Sequence, residues 1–306
     1  MKAYVFPGQG SQYVGMGKSF YDNFQDAKDV FKEVDDTLNF NLSDIIFNGP
    51  KEKLDLTENT QPAIMSVSVA IFRVLKKKID LKPVFFAGHS LGEYSALICS
   101  NSLKLSEGAR LLKERGSFMQ KAVPLNLGAM AAVLGTDLDL IKELLNENKN
   151  QGIVEISNNN CPGQIVISGN KQNVLSVVDE LKKKHNKKAI LLPVSAPFHC
   201  SLMKPAADNM KKLLDNTNFL NPEVNVIANF NANIINNHKE ISNLLFKQIV
   251  SCVQWKETIE FMLKKKVNYF LEFGPGKALS GMIKRTSKEV IDIKNVDTID
   301  DLNAIN

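Results

Sequence analysis

Apolar positions along the chain change period several times, and each change predicts an element. Residues 2–6 (KAYVF) are a short apolar run that stops at Pro7 and Gly8, a strand feeding the loop PGQGSQ. Residues 18–40 carry Phe20, Phe24, Val30, Phe31 and Val34 at helical spacing. Residues 62–78 predict a strong helix, with Pro62 at its start, Ile64, Val67, Ile71, Val74 and Leu75 on one face, and lysines at its end. Pro83 opens a strand, VFFAG, which runs into GHSLGEYSALIC, where helical spacing returns after Leu91. Residues 106–121 predict a further helix with Ser106 as its cap.

Near residue 125 the pattern changes. GAMAAVLG reads as a strand, 137–148 as a helix, IVEISNN and QIVISG as strands joined around Asn160, Pro162 and Gly163, 171–184 as a helix, and AILLPVS as a strand. Strand, helix, strand, strand, helix, strand is the order of a ferredoxin-like unit. It is expected to span 125–196 as an insertion, leaving 1–124 and 197–306 as one core. After Pro205 the chain turns helical, then gives a strand VNVIANF, helices near 240–250 and at 254–266, and a strand YFLEFG before GPGKALSGMIKR. Alternating strands and helices predict an α/β fold with a parallel sheet.

Composition changes this picture little. Hydrophobic residues make up 44% and charged residues 23% of 306 residues, ordinary for a soluble globular chain with a sizeable core. The N-terminal residues lack the order of a secretory signal, and no apolar run reaches the ~18 residues of a membrane span. A cytoplasmic location is therefore expected. Net charge is +5, with lysine runs at 76–78, 182–184 and 264–266, each where an apolar-periodic stretch ends. Such runs suit solvated helix ends, or a surface for an acidic partner. Aromatic residues are not interleaved with them, which argues against nucleic acid. Cys99, Cys161, Cys200 and Cys252 are scattered, so reduced thiols are expected rather than a disulfide framework or a zinc site. Cys200 adjoins His199, but neighbours on an extended segment point apart, which argues against a thiol nucleophile.

The chemistry concentrates at Gly88-His89-Ser90-Leu91-Gly92. A serine between a strand and a helix, flanked by glycines, is the setting of a nucleophile elbow. The N–H of Leu91, at the helix start, can stabilise an oxyanion. A serine hydroxyl needs a base. Of His89, His185, His199 and His238, the second lies in a lysine-rich helix end, the fourth in an asparagine-rich loop, and the first adjoins the nucleophile too closely to fold back on it. His199, in VSAPFHCSLMKP, remains. An acidic third member in the order serine, acid, histidine would lie between 90 and 199, where several candidates are open.

FPGQGSQ at 6–12, TQPA at 60–63, GHSLGEYSAL at 88–97, RGSFMQ at 115–120, NNNCPGQIVISG at 158–169, SAPFHCSLMKPAA at 195–207 and EFGPGKALSGMIKR at 272–285 occur in this order. Together they resemble malonyl-CoA:acyl-carrier-protein transacylases of bacterial-type fatty acid synthesis, over nearly the whole chain. The resemblance implies an α/β-hydrolase-like core with the ferredoxin-like insertion. It implies a dyad of Ser90 and His199 without an acidic member, the histidine oriented by the backbone carbonyl of Gln248. Gln9 matches a second oxyanion-hole residue, acting with Leu91 through backbone N–H groups. Arg115 matches the arginine that pairs with the malonyl carboxylate, a task for a planar guanidinium. Phe198 matches an aromatic residue of malonyl-selective members, Asn160 and Gln61 match positions near the pocket, and Met119, one turn beyond Arg115, is expected to wall it.

The implied reaction is ping-pong malonyl transfer to the phosphopantetheine thiol of holo acyl carrier protein by a monomer, with no metal or redox cofactor, no nucleic acid and no membrane. Rival readings are an acyl-thioester hydrolase, a free-standing acyltransferase serving a polyketide synthase, and a non-catalytic carrier-protein-binding module.

Overall fold

The computed structural model describes residues 1–78, 82–148, 151–194 and 196–305. In chain order, β1 (Lys2–Phe6) is followed by α1 (Lys18–Asn23), α2 (Gln25–Leu38), α3 (Leu42–Asn48), α4 (Lys51–Leu54) and α5 (Thr57–Lys78). Then come β2 (Phe85–Gly88), α6 (Gly92–Cys99), α7 (Leu105–Lys121), β3 (Gly128–Leu134), α8 (Leu138–Asn148), β4 (Val154–Cys161), β5 (Gln164–Asn170), α9 (Lys171–His185) and β6 (Lys188–Leu191). The chain closes with α10 (Lys204–Asp215), β7 (Asn225–Ile227), α11 (Ile241–Val250), α12 (Trp255–Lys264), β8 (Tyr269–Phe273), α13 (Ala278–Thr286), β9 (Asp292–Val296) and α14 (Ile299–Asn303).

Two sheets result. The larger has the order β7-β2-β1-β8-β9 with every pairing parallel. Its central strands are buried on both faces, as a parallel sheet between helices must be. Along β1, Tyr4 and Phe6 pack with Phe72, Phe86 and Phe273 toward α5, while Ala3 and Val5 face Trp255, Ile259 and Ile283 of α12 and α13. The smaller sheet is antiparallel in the order β4-β5-β3-β6, with α8 and α9 on one face, the ferredoxin-like arrangement expected from the pattern. Alternation within it is strict: Ala131, Val133, Ile165 and Ile167 pack on α8 and α9, whereas Met130, Ala132 and Val166 join the core of the larger unit.

The structure corrects several details. Residues 18–40 form two helices, because Phe24 is extended (φ −132°, ψ 126°) and Asn39 is left-handed. Pro62 lies inside α5, not at its start: Asn59 and Thr60 already donate to the Leu56 carbonyl and close the turn before it. Lys104, not Ser106, precedes α7, and among the described residues no side chain caps that helix. The strand VNVIANF shortens to β7, since Ala228 turns to pair with Asn233. The strand AILLPVS shortens to β6, and its last residue, Ser195, lies outside the described residues. Among the described residues, no helix is long and apolar enough to cross a membrane, and no cluster of three or more His, Cys, Asp or Glu side chains could hold a metal ion.

Candidate active site

The turn between β2 and α6 is built by close packing. A Cβ on Gly88 would lie 1.9 Å from the Gly92 carbonyl, and one on Gly92 would lie 2.2 Å from the Phe6 carbonyl oxygen. Glycine at both places lets the backbone reverse tightly enough to set Ser90 in the left-handed region, at φ 54°. Asn229 holds the turn from outside: its Oδ1 accepts the Ser90 N–H at 2.7 Å and its Nδ2 donates to the Gly88 carbonyl at 2.6 Å.

Ser90 Oγ lies 2.8 Å from His199 Nε2, and His199 Nδ1 lies 2.8 Å from the Gln248 carbonyl oxygen. A carbonyl can only accept, so Nδ1 carries the proton and Nε2 presents its lone pair to the serine hydroxyl. Burial first, and the Arg115 charge second, push the His199 imidazolium down to about 3. The ring is therefore neutral and ready to take a proton.

Arg115, 1% exposed, projects from α7 into the same place. Its Nη2 donates to Ser90 Oγ at 3.1 Å and to Gln248 Oε1 at 2.8 Å, and its Nη1 donates to Gln61 Oε1 at 2.7 Å. All three acceptors are neutral, and among the described residues no carboxylate is paired with this guanidinium. Buried Glu93 acts on it electrostatically without a direct bond, and a buried cation with no directly paired anion costs roughly several kcal/mol. The three groups open on a cleft of about 630 Å³ between the two units, with Gln9 on one wall and Met130 and Val166 of the small sheet on the other. The set can activate a hydroxyl and hold a carboxylate beside it.

The acyl transferase domain family matches residues 3–303. The malonyl CoA-acyl carrier protein transacylase of Bacillus subtilis is 42% identical over 301 residues, which cover 97% of this chain and 95% of that protein. The chain belongs to the malonyl-CoA:acyl-carrier-protein transacylase family. Among solved structures of that family, the acyl-carrier-protein S-malonyltransferase of Bartonella henselae superposes with a TM-score of 0.95 at 44% identity, covering 99% of this chain and 98% of that one. A type II PKS acyl-carrier protein in complex with its malonyl-transacylase gives a TM-score of 0.95 at 39% identity, covering 99% and 98%.

In this member of the transacylase family the remaining expected residues divide in two. Gln61, Asn160, Met119 and Phe198 line the cleft with Ser90, His199 and Arg115. Gln61 also donates to Met119 Sδ at 3.8 Å, and Asn160 Oδ1 sits 2.9 Å from His89 Nε2, which occupies the other histidine away from the serine. Gln248 and Leu91 do not line the cleft: Gln248 stands behind Arg115 and His199, and the Leu91 side chain is buried beneath the turn. The Leu91 and Gln9 N–H groups have no acceptor among the described residues.

Cys200 is kept from the serine's role, but not by an extended backbone. His199 is left-handed, at φ 59°, and Cys200 Sγ donates to the Pro197 carbonyl at 3.1 Å. Burial pushes that thiol up to about 11 and Cys252 up to about 12, and raises Cys99 and Cys161 as well.

Sequence reasoning missed two residues, Glu93 and Asn229. The only signal for Glu93 is a lone carboxylate in GEYSALIC, a helix with every residue buried. Nothing in the sequence marks Asn229, which meets Ser90 from 139 positions away.

Proposed function

We propose that this protein is an acyl-carrier-protein S-malonyltransferase that carries malonyl from coenzyme A to the phosphopantetheine thiol of holo acyl carrier protein through an ester on Ser90. The observation that carries this reading is Arg115: a buried guanidinium that touches the nucleophile and whose acceptors among the described residues are all neutral. An acyl group ending in a carboxylate supplies an anion in direct contact, and acetyl does not.

His199 Nε2 takes the Ser90 proton as Oγ attacks the thioester carbonyl. The oxyanion rests on the N–H groups of Gln9 and Leu91. The intermediate collapses, the C–S bond breaks, and the coenzyme A thiolate takes the proton back from His199. In the second half the carrier's thiol gives its proton to His199 and attacks the malonyl ester, and Ser90 leaves with that proton restored. Atoms and charges balance without a metal or redox cofactor; coenzyme A and phosphopantetheine enter only as parts of substrates. Phe198 and Met119 crowd the malonyl methylene, and Gln61 and Gln248 hold the Arg115 fork. The catalytic unit on this reading is 1–124 with 197–306, and the inserted unit 125–196 closes the cleft. Lysines at the ends of α5, α9 and α12 give an acidic carrier a steering field around a monomer working in the cytoplasm.

The test is intact-mass spectrometry of the protein mixed with malonyl-CoA. An adduct on Ser90 that passes to holo carrier protein is expected, and it should be absent in Ser90→Ala. An adduct lost to water at the same rate with or without carrier would replace transferase with hydrolase, and no adduct would leave a carrier-binding module.

A further inference from the structure

The bonds around the nucleophile lead back to one carboxylate that the reaction never touches. Glu93, in the first turn of α6, is fully buried. Its Oε2 accepts from Gln248 Nε2 at 2.7 Å and from the Asn229 N–H at 3.0 Å, and its Oε1 has no partner among the described residues. Those two residues reach every other working part. Gln248 Nε2 also donates to the Ser90 carbonyl at 3.0 Å, its Oε1 receives Arg115, and its backbone carbonyl receives His199 Nδ1. Asn229 grips the turn at the Ser90 N–H and the Gly88 carbonyl. Glu93 also selects one orientation of the Gln248 amide: flipped, its NH₂ would meet the guanidinium and its oxygen would meet a carboxylate and a carbonyl.

We propose that Glu93 is a positioning residue for acyl transfer, its carboxylate holding the Ser90 turn, the His199 ring and the Arg115 fork in one register through Gln248 and Asn229. The inference rests on the acyl-transfer reading of Ser90 and His199.

Ionisation of Glu93 gives the role a signature that simple packing lacks. Arg115 of α7 is the charged group acting on it; Tyr94, its neighbour on α6, is a neutral phenol, Asn229 and Gln248 are uncharged, and His199 stays neutral down to about 3. Burial pushes the Glu93 carboxyl up to about 7. Protonation weakens two charge-assisted bonds, so acylation is full above that value and declines below it. The pH profile of kcat/KM reads the free enzyme.

Single-turnover acylation by malonyl-CoA is measured in the wild type, Glu93→Gln and Glu93→Ala between about pH 6 and about pH 8. Glu93→Gln keeps an acceptor oxygen but no charge; Glu93→Ala keeps neither. The expected order is wild type at high pH, then Glu93→Gln level with the wild type at low pH, then Glu93→Ala down about a hundredfold in rate with KM nearly unchanged. Glu93→Gln should also lose the acid limb. An acid limb in Glu93→Gln that superimposes on the wild type overturns the proposal, as does a wild-type rate in Glu93→Ala. If Glu93→Ala does not fold, the Glu93→Gln profile decides alone. Absence of a Ser90 adduct in the wild type would overturn the acyl-transfer reading instead.

Discussion

The two walls of the cleft are built on different plans. On the wall of the larger unit, Ser90, His199 and Arg115 are each fixed by hydrogen bonds from residues far away in sequence, and the polar groups form one connected network. The wall of the smaller sheet gives the cleft Met130 and Val166, held by strand pairing and packing, with Asn160 as a polar contribution. The difference teaches where accuracy is needed. Reacting atoms must be placed to within fractions of an ångström, which takes directional bonds; a wall that confines an acyl chain needs only shape.

The largest expected effect on this contrast comes from the first wall. Ser90→Ala removes the malonyl adduct altogether, and His199→Ala slows its formation by about a thousandfold, read by rapid quench and intact mass. Next, Arg115→Ala should cost about 2–4 kcal/mol in kcat/KM for malonyl-CoA while leaving acetyl-CoA little changed, so that preference between the two collapses. Equal losses on both substrates would show that Arg115 supports the fold rather than reads the carboxylate. The second wall should respond in the opposite currency. Ile167→Ala, fully buried against α8 and α9, is expected to lower stability by about 2–4 kcal/mol in urea unfolding, with kcat/KM of the folded protein within about threefold of wild type. A large catalytic loss there would erase the distinction between the walls. Smallest of all, Lys183→Ala removes an exposed pair with Asp179 at 2.8 Å on the outer helix α9 and should change stability by less than about 0.5 kcal/mol.

The first wall is also the less legible in sequence. The Ser90 turn is readable because glycines, a strand and a helix crowd into a few adjacent residues, and the small sheet because period-2 apolar runs alternate with helical ones. His199 follows from elimination among few histidines, and Arg115 only from the motif RGSFMQ. The group facing His199 Nδ1 could not be read from local pattern, since a backbone carbonyl has no residue signature; the acid sought between 90 and 199 does not take that place. Glu93 and Asn229 escape for a related reason. Their partners lie 136–155 positions apart, and only the folded chain brings them together. The helix starts near Pro62 and Ser106 differ from expectation because backbone bonds to the Leu56 and Lys104 carbonyls, not a proline or a side-chain cap, open those helices.

The state of the four thiols has a practical consequence for the chemistry in the tube. Alkylating reagents attack the thiolate, and burial keeps every cysteine of this enzyme in its protonated form. The reactive, solvent-facing thiols in a complete reaction then belong to the acceptor and to the coenzyme A released in the first half-reaction. A maleimide or iodoacetamide can stop transfer by capping unloaded carrier and released coenzyme A while the acyl ester on oxygen survives intact, so the malonyl left on the enzyme and the malonyl passed to carrier can be counted separately in a single vessel.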